Sequence, residues 1–117
     1  MATQFSQSIK ISSEADNRYH YQTEMIIDAA DRIHFAWHDV RDRDEYKKLG
    51  GGDLSIYHVS ARTGKAIQLA SDQRIAKNVC SCCRTAMAED IDGSLIILAR
   101  FVYPGNIRDH GLFRLSS

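Results

Sequence analysis

Three cysteines fall within four positions, Cys80, Cys82 and Cys83, and Arg84 follows directly. Three soft thiolates this close point to copper(I) or, with a histidine added, to zinc. The fourth zinc ligand would come from His20, His34, His38, His58 or His110. The extra Cys82 inside the Cys80 to Cys83 span departs from the pattern of ordinary zinc knuckles. The adjacent Cys82 and Cys83 also suit a strained, redox-labile disulfide, and Arg84 favours the thiolate form of its neighbour. The plain alternative is a set of reduced cysteines packing the strand before Met87. An odd number of cysteines makes poor disulfide staples for a chain of 117 residues.

A second set of chemistry-bearing side chains gathers at expected strand ends. His38 and Asp39 precede one loop, Arg100 and Tyr103 precede another, and Arg108, Asp109 and His110 open the strand that follows. Together with Arg84 they have the groups to bind a carboxylate or a sugar; the competing reading is solvent-facing charge and ladder-end ion pairs. Asp39 with Asp53, or Asp90 with Asp92, has the makings of a glycosidase carboxylate pair, although Asp90 and Asp92 flank a tight turn, where aspartate is expected for turn chemistry alone. Phe35, Trp37, Phe101 and Phe113 suit a sugar-stacking platform, and equally a core or a subunit contact. There is no glycine-rich phosphate loop and no helical His-Glu-x-x-His, so no cofactor is expected beyond zinc or copper at the cysteines.

The elements that position these residues come as a repeat. Thr23 to Val40 matches Thr85 to Val102, with Met25 on Met87 and Asp28 on Asp90; Ser8 to Ser13 falls on Ala66 to Ser71, and Asp53 to Ser60 on Asp109 to Ser116. One supersecondary unit is used twice, at about 8–65 and 66–117 of a single domain spanning 1–117. Units of this period bury their apolar face against neighbours, commonly in three or more copies.

The units read as strands. Ile33, Phe35 and Trp37 alternate with His34, Ala36 and His38, the pattern of a ladder with one buried face. Leu95 to Ala99 is apolar throughout, as expected of a strand covered on both faces. Asp92-Gly93 signals a hairpin, and Ala30-Asp31 is a weaker turn at the matching point. Asp53 to Val59 and Ile67 to Leu69 are further strands. Helical spacing from Ile26 to Val40 competes, but Gly93 would then sit mid-helix in the second copy, where it is unfavourable. The charged insertion Arg41 to Lys48 reads as a helical turn or a loop.

Composition narrows the partners. Fifteen basic and fifteen acidic residues cancel, and no basic tract favours nucleic acid or an anionic membrane. No apolar run is long enough to span a bilayer and no signal segment opens the chain, which reads as cytoplasmic as written.

Val79-Cys80-Ser81-Cys82-Cys83-Arg84-Thr85-Ala86-Met87, Asp92-Gly93, Arg100 to Gly105 and Ile107-Arg108-Asp109 carry a resemblance. The chain resembles the sialidase-like (BNR-repeat) β-propeller proteins, particularly a bacterial branch with a Cys-x-Cys-Cys-Arg motif before a strand. That branch often has an Arg-Asp pair entering the third strand of a blade, matched here by Arg108-Asp109. The resemblance implies an all-β fold of antiparallel four-stranded blades, six to a ring. The chain departs from the Asp-box pattern at Ser60-Ala61-Arg62-Thr63-Gly64, where Arg62 replaces the aspartate, and Ile67 stands in place of the following aromatic. It also lacks an identifiable Tyr-Glu nucleophile pair. The expectation is therefore two propeller-like blades completed by homo-oligomerisation, with a trimer favoured. Function is expected to be non-catalytic binding or scaffolding for a small polar, sugar-like or anionic ligand. The alternatives are a sialidase-related glycoside hydrolase and a metal- or redox-responsive module at the cysteines.

Overall fold

The computed structural model describes residues 7–13, 20–41, 53–64, 66–80 and 82–116. The protein is all-β across these residues. Its strands are β1 (His20–Ile27), β2 (Arg32–Asp39), β3 (Asp53–Arg62), β4 (Gln68–Leu69), β5 (Gln73–Cys80), β6 (Ala86–Glu89), β7 (Leu95–Tyr103) and β8 (Ile107–Leu115). Among the described residues no helix is long and apolar enough to cross a membrane. Apart from Arg41, the charged insertion lies outside the described residues, as do the side chains of His20 and Asp53.

The β1–β2 and β6–β7 hairpins share one register. Glu24 pairs with Ala36 and Ile27 with Ile33; Ala86 pairs with Leu98 and Glu89 with Leu95, each partner 62 positions further along. The turns match as well. Asp28 N donates to Arg32 O and Asp31 N to Asp28 O, while Asp90 N donates to Ser94 O and Gly93 N to Asp90 O. Asp31 and Gly93 hold the same left-handed position, at φ 57° and 83°. Glycine takes that conformation without a Cβ penalty and aspartate tolerates it better than most residues, so Ala30-Asp31 still makes the turn that Asp92-Gly93 makes cheaply.

All strands join one antiparallel sheet. β8 lines the whole of one edge of β7, so β5, at Val79–Phe101, and β6, at Ala86–Leu98, must share the other edge. β5 and β6 are thus two halves of one strand line. Between Val79 and Ala86 the chain advances seven positions while β7 advances three, from Phe101 to Leu98. The four extra residues form an excursion, and the cysteines sit on it. Beyond the excursion β6 leaves β3 and packs beside β1, where Ala29 N donates to Glu89 Oε2 at 2.7 Å. The sheet curls into a nearly closed, barrel-like shape.

Burial reverses two expectations from the pattern. Along β2 it is the His34, Ala36 and His38 face that is fully buried, at 8%, 1% and 0% exposure, in line with Ile56, Val79 and Ala99. The opposite face is covered too: Trp37, Tyr57 and Val59 pack with Phe35 and Ile11 of the N-terminal segment. A clasp holds that segment down. Arg41 bonds the Asp39 and Asp72 carboxylates at 2.8 Å each and lies 3.6 Å over the Tyr57 ring, and Asp72 accepts from Ser13 N at 3.0 Å. β7, by contrast, is covered on one face only. Ile97 is fully buried, but Leu98 is 42% exposed beside the exposed Leu112 of β8.

Candidate metal centre

Cys80 ends β5 and is buried; the excursion then folds Cys83 and the exposed Cys82 back over it. The Cys80 and Cys82 sulfurs lie 3.4 Å apart, Cys83 lies 3.3 Å from Cys80, and Cys82 lies 3.7 Å from Cys83. None of the three is in a disulfide. A metal holding three sulfurs at about 2.3 Å sets them about 3.8–4.0 Å apart, so each has only about half an ångström to move. They form one group whose ligand atoms lie within 4.8 Å of one another.

Two arginines from the β7–β8 hairpin face this group. Arg100 Nη1 lies 3.7 Å from Cys83 Sγ, and its buried Nε has no hydrogen-bond partner. The Arg108 side chain also favours the charged form of Cys80. Burial pushes the Cys80 thiol up, but the thiol donors of Cys83 and Cys82, the Cys82 backbone amide and Arg108 outweigh it and bring Cys80 down to about 7. Its neighbours do the opposite to Cys82, which is raised by Cys80 and Cys83. Cys80 is thus primed to ionise more readily than an ordinary thiol, with Cys83 donating to its sulfur. Ultraviolet titration of thiolate absorbance should therefore show one step near pH 7, and Arg108→Met should move that step upward; an unchanged step would remove Arg108 from the account.

His38 supports the excursion from beneath. Its Nε2 meets Thr85 Oγ1 at 2.7 Å, both residues are buried, and His38 Nδ1 has no partner. Burial alone brings its pKa down to about 4, so it is neutral at pH 7.

The side chains expected to form a ligand site divide. His38 and Asp39 point to opposite faces of β2, and Asp39 is occupied by Trp37 Nε1 at 2.9 Å and by Arg41. Arg100, Arg108 and His110 share the outer face of the β7–β8 hairpin, with Arg100 directly opposite His110. Tyr103 and Asp109 belong to its other face, near the exposed end. Arg84 is exposed beside Cys83. Asp90 and Asp92 are joined by Arg114, which bonds the Asp90 carboxylate and approaches Asp92 Oδ2 at 3.4 Å. Phe101 and Phe113 meet edge to face at 6.0 Å against the core.

One cluster escaped the sequence reading. Asp28 Oδ2 meets His34 Nε2 at 2.8 Å, and His34 Nδ1 meets His58 Nε2 at 3.0 Å. The available signal was His34, a polar residue two positions from Ala36 on what proves to be the core face. The chain matches no protein-family model, no curated protein and no solved structure.

Proposed function

We propose that the protein is a metal-binding module that takes one copper(I) ion on Cys80, Cys82 and Cys83. The observation that carries this reading is the set of three free sulfurs within 3.7 Å of one another. Soft thiolates select copper(I) and zinc among the common metals. Charge and ligand count separate the two. Structural zinc takes four protein ligands, and the group of potential ligands among the described residues stops at three. Three thiolates around a monovalent ion leave two negative charges, which the guanidinium groups of Arg100 and Arg108 offset. The chain's residues bind and orient: Cys80 supplies a preformed thiolate, Cys82 and Cys83 close over the ion, and His38 with Thr85 holds the turn. Copper(I) titrated into the reduced protein should bind once per chain with loss of all three titratable thiols, and Cys80→Ser should abolish binding. Tight zinc binding with no copper(I) uptake would overturn the assignment.

A second reading keeps the sialidase-like scaffold, its blades completed by self-association. The shared register and turn chemistry of the two hairpins support it. So do the apolar residues Leu98, Leu112 and Ile107, exposed on or beside β8. Light scattering coupled to size exclusion should then give the mass of a trimer; a monomer across the accessible concentration range would sink this reading and leave the copper site untouched.

A further inference from the structure

The Asp28, His34 and His58 chain opens into a hollow of about 210 Å³ that Arg32 and Ser60 also line. A second hollow of about 320 Å³ adjoins it, sharing Arg32 and Ser60 and adding Arg62. All these β2 and β3 side chains lie on one face in consecutive cross-strand positions: Arg32 faces Arg62, His34 faces Ser60 and Ala36 faces His58. Like charges directly opposed across a ladder repel. Neither guanidinium has an ion-pair partner among the described residues. An anion between Arg32 and Arg62 would relieve that repulsion.

The histidines decide what lies beside the anion. The Asp28 carboxylate, held below the usual carboxylate range chiefly by its bond to His34, is an acceptor only. His34 Nε2 therefore carries the proton and, in the neutral ring, His34 Nδ1 is a lone pair. His58 Nε2 must then donate to it, which leaves His58 Nδ1 as an acceptor with no partner among the described residues. The second copy shows that the turn needs none of this, since Asp90, the counterpart of Asp28, is tied to an ordinary arginine, Arg114.

We propose that these adjoining hollows bind a small hydroxylated anion, of the hydroxy-acid or sugar-phosphate class, whose charged group sits between Arg32 and Arg62 and whose hydroxyl donates to His58 Nδ1. The site selects by hydrogen-bond sense: a hydroxyl completes the relay, and a ligand offering only acceptors at that point leaves His58 unsatisfied.

Histidine ring NMR on the reduced, metal-free protein tests it. Before any ligand is added, both His34 and His58 should be the Nε2–H tautomer; a protonated Nδ1 on neutral His58 overturns the proposal. Glycolate should shift the His58 ring saturably, and acetate should bind about tenfold more weakly for want of one hydrogen bond. Arg62→Gln, a substitution at an exposed position, should weaken both by about tenfold, the loss of a charge-assisted contact, whereas His58→Gln should erase only the preference for glycolate. Glycerol phosphate in a parallel titration tells phosphate esters from hydroxy acids, and saturable binding of either supports the site. No saturable shift with any of the anions, or equal binding of glycolate and acetate, overturns it.

Discussion

Copper(I) should raise the melting temperature of the reduced protein by about 10 °C, and Cys80→Ser should abolish the rise. The size follows from linkage: free metal at about a hundredfold above its dissociation constant stabilises the folded state by about 2.7 kcal/mol, and a domain of this length gains roughly 4 °C per kcal/mol. Cys80 should be the severest position because it is the buried sulfur on which the other two converge. Arg100→Met should weaken the ion's hold without abolishing it, since Arg100 offsets charge and donates no ligand. Affinity should also rise with pH, because binding expels the protons of Cys82 and Cys83, and Cys82 is held above its ordinary value by its neighbours. Differential scanning at several pH values checks all three. A Cys80→Ser variant that keeps the full copper-dependent rise would remove the cluster from the account.

Acid should unfold the protein well above the carboxylate range. His38 and His58 are both lowered from 6.5 to about 4, chiefly by burial. For a histidine whose folded pKa is depressed, the unfolded chain takes up the proton first as pH falls. The stabilisation is complete above pH 6.5 and is lost progressively down to about pH 4. Each group contributes about 3 kcal/mol over that window, so two of them remove a large share of a total of roughly 5–15 kcal/mol. Urea unfolding at stepped pH should show a slope of up to about 2.7 kcal/mol per pH unit, the signature of two protons taken up on unfolding. His38→Gln, whose amide can still hydrogen-bond Thr85 Oγ1, should halve that slope. A flat stability curve between pH 6.5 and 4 would mean that neither histidine is buried neutral. A further loss at lower pH belongs to Asp72: burial opposes its charge, but Arg41 and Ser13 outweigh that and lower it from 3.8 to about 2.

Strand type and the two matched hairpins were legible because they rest on local signals: Asp92-Gly93, alternation along β2, and residues matched at an offset of 62. Which face is buried was not. The apolar residues of β2 pointed to a single core face, yet His34 and His38 are buried because Asp28, in the turn before β2, and Thr85, distant in sequence, satisfy them. Leu98 looked like a core residue and stands exposed, because no strand covers that face of β7 among the described residues. The cysteines were visible as a candidate site from their types alone, but their convergence depends on an excursion in the β5–β6 line that no composition rule marks. The arginines that complete the site were noted for a different reason, as part of a ligand cluster that the strand pairing distributes over two faces. The Asp28, His34 and His58 relay arises from pairing between β2 and β3, with the connecting residues 42–52 carrying no trace of it.

X-ray absorption at the copper edge of the reduced, copper(I)-loaded protein tests the central claim most directly. Three sulfur neighbours and no nitrogen are expected, falling to two sulfurs or to loss of the ion in Cys83→Ser. A first shell of nitrogen or oxygen, or a sulfur count unchanged by Cys83→Ser, would contradict it.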